Sequence, residues 1–273
     1  MTEENIMAKT SFQGPVRSKN DFKLYSTTAS TGVEHDRTLG TTAKDARRVY
    51  LDEWFLQRPG LNANIGTSGG VKATTAGADQ DQAILTPHLD TAATAWAGCL
   101  WGTENETHWE TSIQLPAIDN QNVWAGLKLT NAPELATDDD QAYFQFLTDA
   151  DNSGQAFTDF TKLHFIHSVG GTDYISQLPI TVAANTIYHL KIEIDSDRKA
   201  AIFVNGVQYN VATTAGSTGG TAVTAVQPGV QAAKSNALTD DVDFIPYNGI
   251  EANAGAAEAL ISHYICMSRN VYE

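Results

Sequence analysis

KIEIDSDRKAAIFVNG, residues 191–206, is the stretch on which the reading of this chain turns. Glu193, Asp195 and Asp197 stand at alternate positions, and alternate positions of a strand share one face, ~6.8 Å apart at Cα for a ~3.4 Å rise. Two carboxyl groups about 5 to 5.5 Å apart are what a retaining glycoside hydrolase sets across a sugar ring. The same letters also read as a hairpin. In IYHLKIEID, residues 187–195, Tyr188, Leu190, Ile192 and Ile194 make an apolar face and Ile187, His189, Lys191, Glu193 and Asp195 share the other. Ser196, Asp197 and Arg198 then break the alternation with turn-forming residues, and KAAIFV resumes a strand that stops at Asn205-Gly206, a strong hairpin signal. Asp197 falls in the turn, so the hairpin accounts for all three acids as a solvated face followed by a turn.

Outward from this hairpin the period of two recurs. THWETSIQLP, residues 107–116, sets Trp109, Thr111, Ile113 and Leu115 against Glu110, Ser112 and Gln114. NVWAGLKLT, AYFQFLT, KLHFIHS, TDYISQL, VQYNV, VDFIP and ALISHYICMS are short, aromatic or β-branched, and mostly bounded by Gly, Pro, Asn or Asp. Helical periods are scarce. About ten to twelve strands in one compact unit predict an all-β protein, a two-sheet sandwich or jelly roll.

The chain of 273 residues carries 32 acidic and 17 basic side chains, a formal charge of -15. That charge repels phosphate backbones and anionic lipid surfaces, which argues against nucleic acid and membrane as partners. No early apolar run suits a secretory leader and no stretch approaches a membrane span, so synthesis in the cytoplasm is expected. Cys99 and Cys266 show neither CxxC nor Cys/His spacing, which disfavours zinc and predicts two reduced thiols.

Residues 1–45 differ in character from residues 46–273. They are rich in Thr, Ser, Lys and Asp, with isolated apolar side chains at Phe12, Val16, Phe22 and Leu24 and no sustained period, so they cannot form a core of their own. The expectation is an extended N-terminal arm over 1–45, ordered on a partner surface through those four residues, ahead of a jelly-roll domain over 46–273.

Three further constellations bear on chemistry. TDADNSGQ places Asp149, Asp151 and Ser153 at positions 1, 3 and 5 of a calcium-loop pattern with Gly154 at position 6, but position 12 is Phe160 where a bidentate Glu belongs. The stretch reads as a polar hairpin loop, with weak calcium binding as the alternative; no other cofactor is expected. TDDDQ, with Asp138, Asp139 and Asp140, reads as a solvated acidic loop. His164 and His167 are three apart on one strand and point to opposite faces, so they cannot chelate together. Trp124 shares a face with Asn122 and Lys128 while Val123, Ala125, Leu127 and Leu129 take the other. An aromatic on a polar face stacks on a sugar, buries against another subunit, or is covered by its own chain.

The stretch TDYISQLPITVAANTIYHLKIEIDSDRKAAIFVNGV, with PYNGIEANAGAAEALISHYICMSR near the end, resembles the concanavalin A-like, laminin-G-like jelly roll. The ExDxE pattern of jelly-roll β-glucanases is matched only in part by Glu193, Asp195 and Asp197, because the last acid is Asp. MAKTSFQGPVRSKNDF, residues 7–22, is similar to openings of structural proteins of marine bacteriophages. The resemblance implies a non-enzymatic virion protein that decorates or cements the capsid exterior, present in many copies and anchored by its arm to the major capsid protein. A lectin-like adhesin for a host surface glycan is the alternative, and a jelly-roll glycoside hydrolase stands third. No catalytic residue is inherited from the resemblance.

Overall fold

The computed structural model describes residues 22–27, 34–39, 48–51, 55–57, 64–65, 70–86, 101–129, 139–148, 157–216 and 219–270. The chain divides into two compact units, the boundary falling between Arg48 and Val49. In the first, β1 (Phe22–Thr27) and β2 (Glu34–Leu39) form an antiparallel hairpin with Phe22 opposite Leu39 and Thr27 opposite Glu34. The sequence reads residues 1–45 as an extended arm with no sustained period. FKLYST does alternate, but its two apolar residues, Phe22 and Leu24, are too few to stand out as a period in a polar segment.

The second unit is all-β, with no α-helix among the described residues. Its strands are β3 (Arg48–Leu51), β4 (Phe55–Gln57), β5 (Asn64–Ile65), β6 (Val71–Thr74), β7 (Gln82–Thr86), β8 (Trp101–Gly102), β9 (His108–Gln114), β10 (Gln121–Lys128), β11 (Gln141–Leu147) and β12 (Lys162–Val169). They continue with β13 (Thr172–Thr181), β14 (Ile187–Ile194), β15 (Ala200–Val204), β16 (Val207–Tyr209), β17 (Thr221–Ala222), β18 (Asp243–Ala252) and β19 (Ala259–Asn270). One sheet has nine strands in the order β17-β13-β12-β11-β10-β18-β7-β4, with β8 beside β18. The other has eight, in the order β16-β15-β14-β9-β19-β6-β5, with β3 beside β19. Along both paths neighbours are antiparallel except β13 and β17. β10 to β13 meander within the first sheet and β14 to β16 within the second. β18 and β19 then return to the middle of the two sheets. This crossing of late strands into both centres is the jelly-roll sandwich the sequence predicts.

The core lies between the sheets. Val123, Ala125, Leu127, Phe144, Phe146, Leu163 and Phe165 from the larger sheet meet Trp109, Ile113, Leu190, Ile192, Ile194, Ile202 and Met267 from the smaller. Each of the larger side chains contributes roughly 1.5–3 kcal/mol by leaving water, which is what holds two separately hydrogen-bonded sheets face to face. Polar ties also cross the gap: Asn248 Nδ2 on β18 donates to Thr111 Oγ1 at 2.9 Å and Ser262 Oγ at 3.3 Å, on β9 and β19, and the Tyr188 hydroxyl on β14 donates to Thr181 O on β13 at 3.4 Å.

The opening stretch is a hairpin. β14 and β15 pair with Ile194 opposite Ala200, and β15 and β16 turn through Asn205 (φ 52°) and Gly206 (φ 78°), two left-handed residues as a tight two-residue turn requires. Tyr188, Leu190, Ile192 and Ile194 all enter the core.

Candidate functional site

Asp195 closes the β14–β15 turn. Its Oδ1 accepts the backbone N–H groups of Asp197 and Lys199, both at 2.9 Å, and its Oδ2 accepts from Lys234 Nζ at 2.8 Å. Burial pushes the Asp195 carboxyl up, but the hydrogen bonds from Lys234, Lys199 and Asp197 outweigh it and hold the group below its ordinary value. Glu193 accepts from Lys191 Nζ at 2.7 Å, and that ammonium also lies 4.2 Å from the Phe203 ring centre. Beside it, Glu110 takes the His108 ring and the Tyr264 hydroxyl, at 3.3 and 2.5 Å, which brings its carboxyl down to about 2 despite partial burial. Paired acids of this kind stabilise a sheet surface. The Asp195 carboxyl, held low by these donors, lacks the raised proton affinity an acid catalyst needs.

The other face of the nine-stranded sheet is where chemistry-bearing side chains gather. Cross-strand register aligns Ile84, Gly249, Trp124, Gln145, His164 and Gln177 in one transverse row over six strands. A second row runs Gln82, Glu251, Asn122, Leu147, and a third Lys128, Gln141, Ser168, Asp173. The third row is a hydrogen-bond chain: Gln141 Nε2 donates to Ser168 Oγ at 2.8 Å, which donates to Asp173 Oδ1 at 2.5 Å. Gln145 Nε2 donates to Asn122 Oδ1 at 2.9 Å, and Gln82 Nε2 donates to Glu251 Oε2. The Lys128 ammonium sits 5.6 Å from the ring centre of Tyr247, which meets Trp124 edge-on at 5.9 Å.

Trp124 thus lies on the face read from the sequence, with Asn122 and Lys128, and Val123, Ala125 and Leu127 lie on the opposite one. The alternation, however, predicts one wet face, and this face is dry. Trp124, Asn122, Gln141 and His164 are 0% exposed and Lys128 only 2%. Trp124 Nε1 and Asn122 Nδ2 are buried donors with no hydrogen-bond partner. His164 stacks on Phe157 at 3.8 Å, and burial pushes its pKa down to about 4. His167 stands on the opposite face, inside the sandwich, as strand parity requires.

Asp149, Asp151 and Ser153 lie outside the described residues, as do Phe12 and Val16, while Phe22 and Leu24 are placed in β1. Phe160 packs beside the Phe157 cluster. In TDDDQ, Asp140 is buried and anchors a turn, accepting from Gly170 N–H at 3.2 Å and from the Thr239 hydroxyl. Among the described residues no three His, Cys, Asp or Glu side chains are placed to hold a metal ion. The sequence singled out Trp124 but missed Tyr143, Gln145, Tyr247 and Glu251. Their rows exist only once strand register joins segments more than a hundred residues apart.

No family model and no curated protein matches the sequence. Solved structures do. The Bacillus licheniformis β-glucanase is 11% identical over 83% of this chain and 99% of its own, at a TM-score of 0.47. Peanut lectin is 11% identical over the same shares, at 0.46. A family 7 alginate lyase is 14% identical over 77% of this chain and 82% of its own, at 0.44. The neighbours therefore include a lectin and carbohydrate-acting enzymes of the concanavalin A-like type. At such identities the likeness describes the fold alone. The expectation of a non-enzymatic protein is nonetheless withdrawn, because a lyase and a glucanase share this architecture and it leaves catalysis open.

Proposed function

We propose that this chain is a virion structural protein carried on the capsid exterior, its jelly-roll domain held to the major capsid protein by the N-terminal unit. The observation that carries this reading is the β1–β2 hairpin: a two-stranded sheet with no third strand among the described residues, in a compact unit of its own. An isolated two-stranded hairpin is marginal in water, so its order calls for a surface to lie on. The resemblance of residues 7–22 to openings of phage structural proteins favours a capsid as that surface. Deleting residues 1–45 should leave the jelly roll folded, because its core comes from strands beyond them, and should abolish co-sedimentation with undecorated capsids. Equal co-sedimentation of full-length and truncated protein would remove the basis for the assignment.

A second reading has its own observation. Trp124, Tyr143 and Tyr247 share one sheet face with amides and with two buried N–H donors that lack acceptors, Trp124 Nε1 and Asn122 Nδ2. Aromatic faces and unsatisfied donors together suit a saccharide, whose ring stacks and whose hydroxyls accept. The face is closed to solvent, so a sugar would have to open it. Titrating host surface glycans against tryptophan emission, in the native protein and in Trp124→Phe, tests this. A response that is identical in the two would exclude Trp124 as the platform.

A further inference from the structure

Residues 233–239 form a strap that ties the two sheets together. Toward the eight-stranded sheet, Ser235 N–H donates to Ala200 O at 3.0 Å, Ala200 N–H donates to Ser235 Oγ at 2.7 Å, Ala237 bridges Lys199, and Leu238 N–H donates to Arg198 O at 2.8 Å. Toward the nine-stranded sheet the ties are side chains: Thr239 donates to Asp140, and Asn236 N–H donates to His167 Nε2 at 3.3 Å.

We infer that His167 is a proton-operated latch for this strap, neutral when it holds Asn236 and released when the ring takes up a proton. The geometry leaves the proton one place to go. Because Nε2 accepts the Asn236 N–H, the neutral ring carries its proton on Nδ1, so a second proton must land on the lone pair that holds the strap. Two N–H groups then face each other and the bond is lost. The groups around the ring are Phe165 on its own strand, Tyr174 stacked at 4.8 Å from β13, Ala142 opposite on β11, and Asn236 from the strap. None is an acid that would stabilise the cation. Burial pushes the His167 pKa down to about 4, with no neighbouring charge opposing it. This inference does not depend on the virion reading.

Amide hydrogen exchange on the full chain, corrected for intrinsic rates, tests the latch between pH 7 and 4. Protection across 233–239 should fall at least tenfold toward pH 4 while the centre of β9 stays protected. His167→Gln, whose amide oxygen accepts the same N–H without titrating, should hold strap protection level, and His164→Gln should behave like the native protein. Strap protection independent of pH, or an equal fall in His167→Gln, overturns the inference. Should His167→Gln not fold, an NMR titration of the native chain serves instead: exchange of the Asn236 amide must track protonation of the His167 ring, and an independent course overturns the inference equally.

Discussion

Trp124 and Gly249 face each other across β10 and β18, and a Cβ built on Gly249 would lie 3.0 Å from Trp124 Cε2 and 3.1 Å from Cζ2. The indole occupies the space a side chain would need. Gly249→Ala forces the ring to give by a few tenths of an ångström, and Gly249→Val cannot be met so cheaply. Overpacking of this kind costs ~1–3 kcal/mol, or several degrees of Tm for a unit this size. The valine variant should melt clearly lower than the alanine variant and shift tryptophan emission. Unchanged melting would mean that Trp124 is free to move off the sheet.

Asp195 and Glu193 should separate sharply on mutation. Asp195 accepts two backbone N–H groups and one ammonium, so Asp195→Ala removes three hydrogen bonds, each worth roughly 0.5–1.5 kcal/mol net where water can replace the acceptor, and should lower stability measurably in urea unfolding. Glu193→Gln loses a partly exposed pair with Lys191, usually worth less than ~1 kcal/mol, and should be close to neutral. Any turnover detected on a saccharide should survive Glu193→Gln. Its loss with an intact fold would return these acids to candidacy as catalysts.

The two buried histidines make stability pH-dependent, and the sign follows from their depressed pKa values. The unfolded chain titrates near 6.5 and the folded rings near 4, so between those values the unfolded state binds more protons. Stability should therefore fall as pH drops from about 6.5 to about 4, by roughly 3 kcal/mol for each ring at most. Glu110 acts in a lower window: its folded pKa of about 2 stabilises above the ordinary 4.5, and that contribution disappears as pH falls toward 2. Urea midpoints at pH 7, 5.5 and 4.5 should decline in the native protein and flatten in His164→Gln/His167→Gln. An equal decline in both would place the acid sensitivity elsewhere.

What the sequence disclosed follows from what is local. The β14–β15–β16 hairpins, the inward face of β9 and the split of His164 from His167 each depend on a period of two and a few turn residues, all within a short window. The dry outer face of the large sheet was not legible. Gln141, Tyr143 and Gln145 alternate with Ala142, Phe144 and Phe146, which reads as one wet and one dry face, yet every one of these residues is buried. Which polar positions are covered depends on parts of the fold remote in sequence. The non-enzymatic expectation failed for a related reason, since an architecture shared by binders and enzymes says little about either.

Charge supplies a test of the proposed attachment to capsids. Residues 1–45 hold six basic and six acidic side chains, leaving 11 basic and 26 acidic on residues 46–273, so the whole formal charge of -15 belongs to the jelly-roll domain. An anchor that is neutral overall and grips through Phe22, Leu24 and backbone pairing has little to lose to screening. A contact made through the acidic domain would depend on long-range attraction, which fades once the Debye length drops from ~30 Å at 0.01 M to ~8 Å at 0.15 M. Crowded copies would also repel one another through their acidic domains, and salt relieves that repulsion. Co-sedimentation with capsids should therefore hold steady or rise as NaCl increases from low to physiological concentration and beyond. A steep loss over that range would show that the jelly roll, and not residues 1–45, makes the contact.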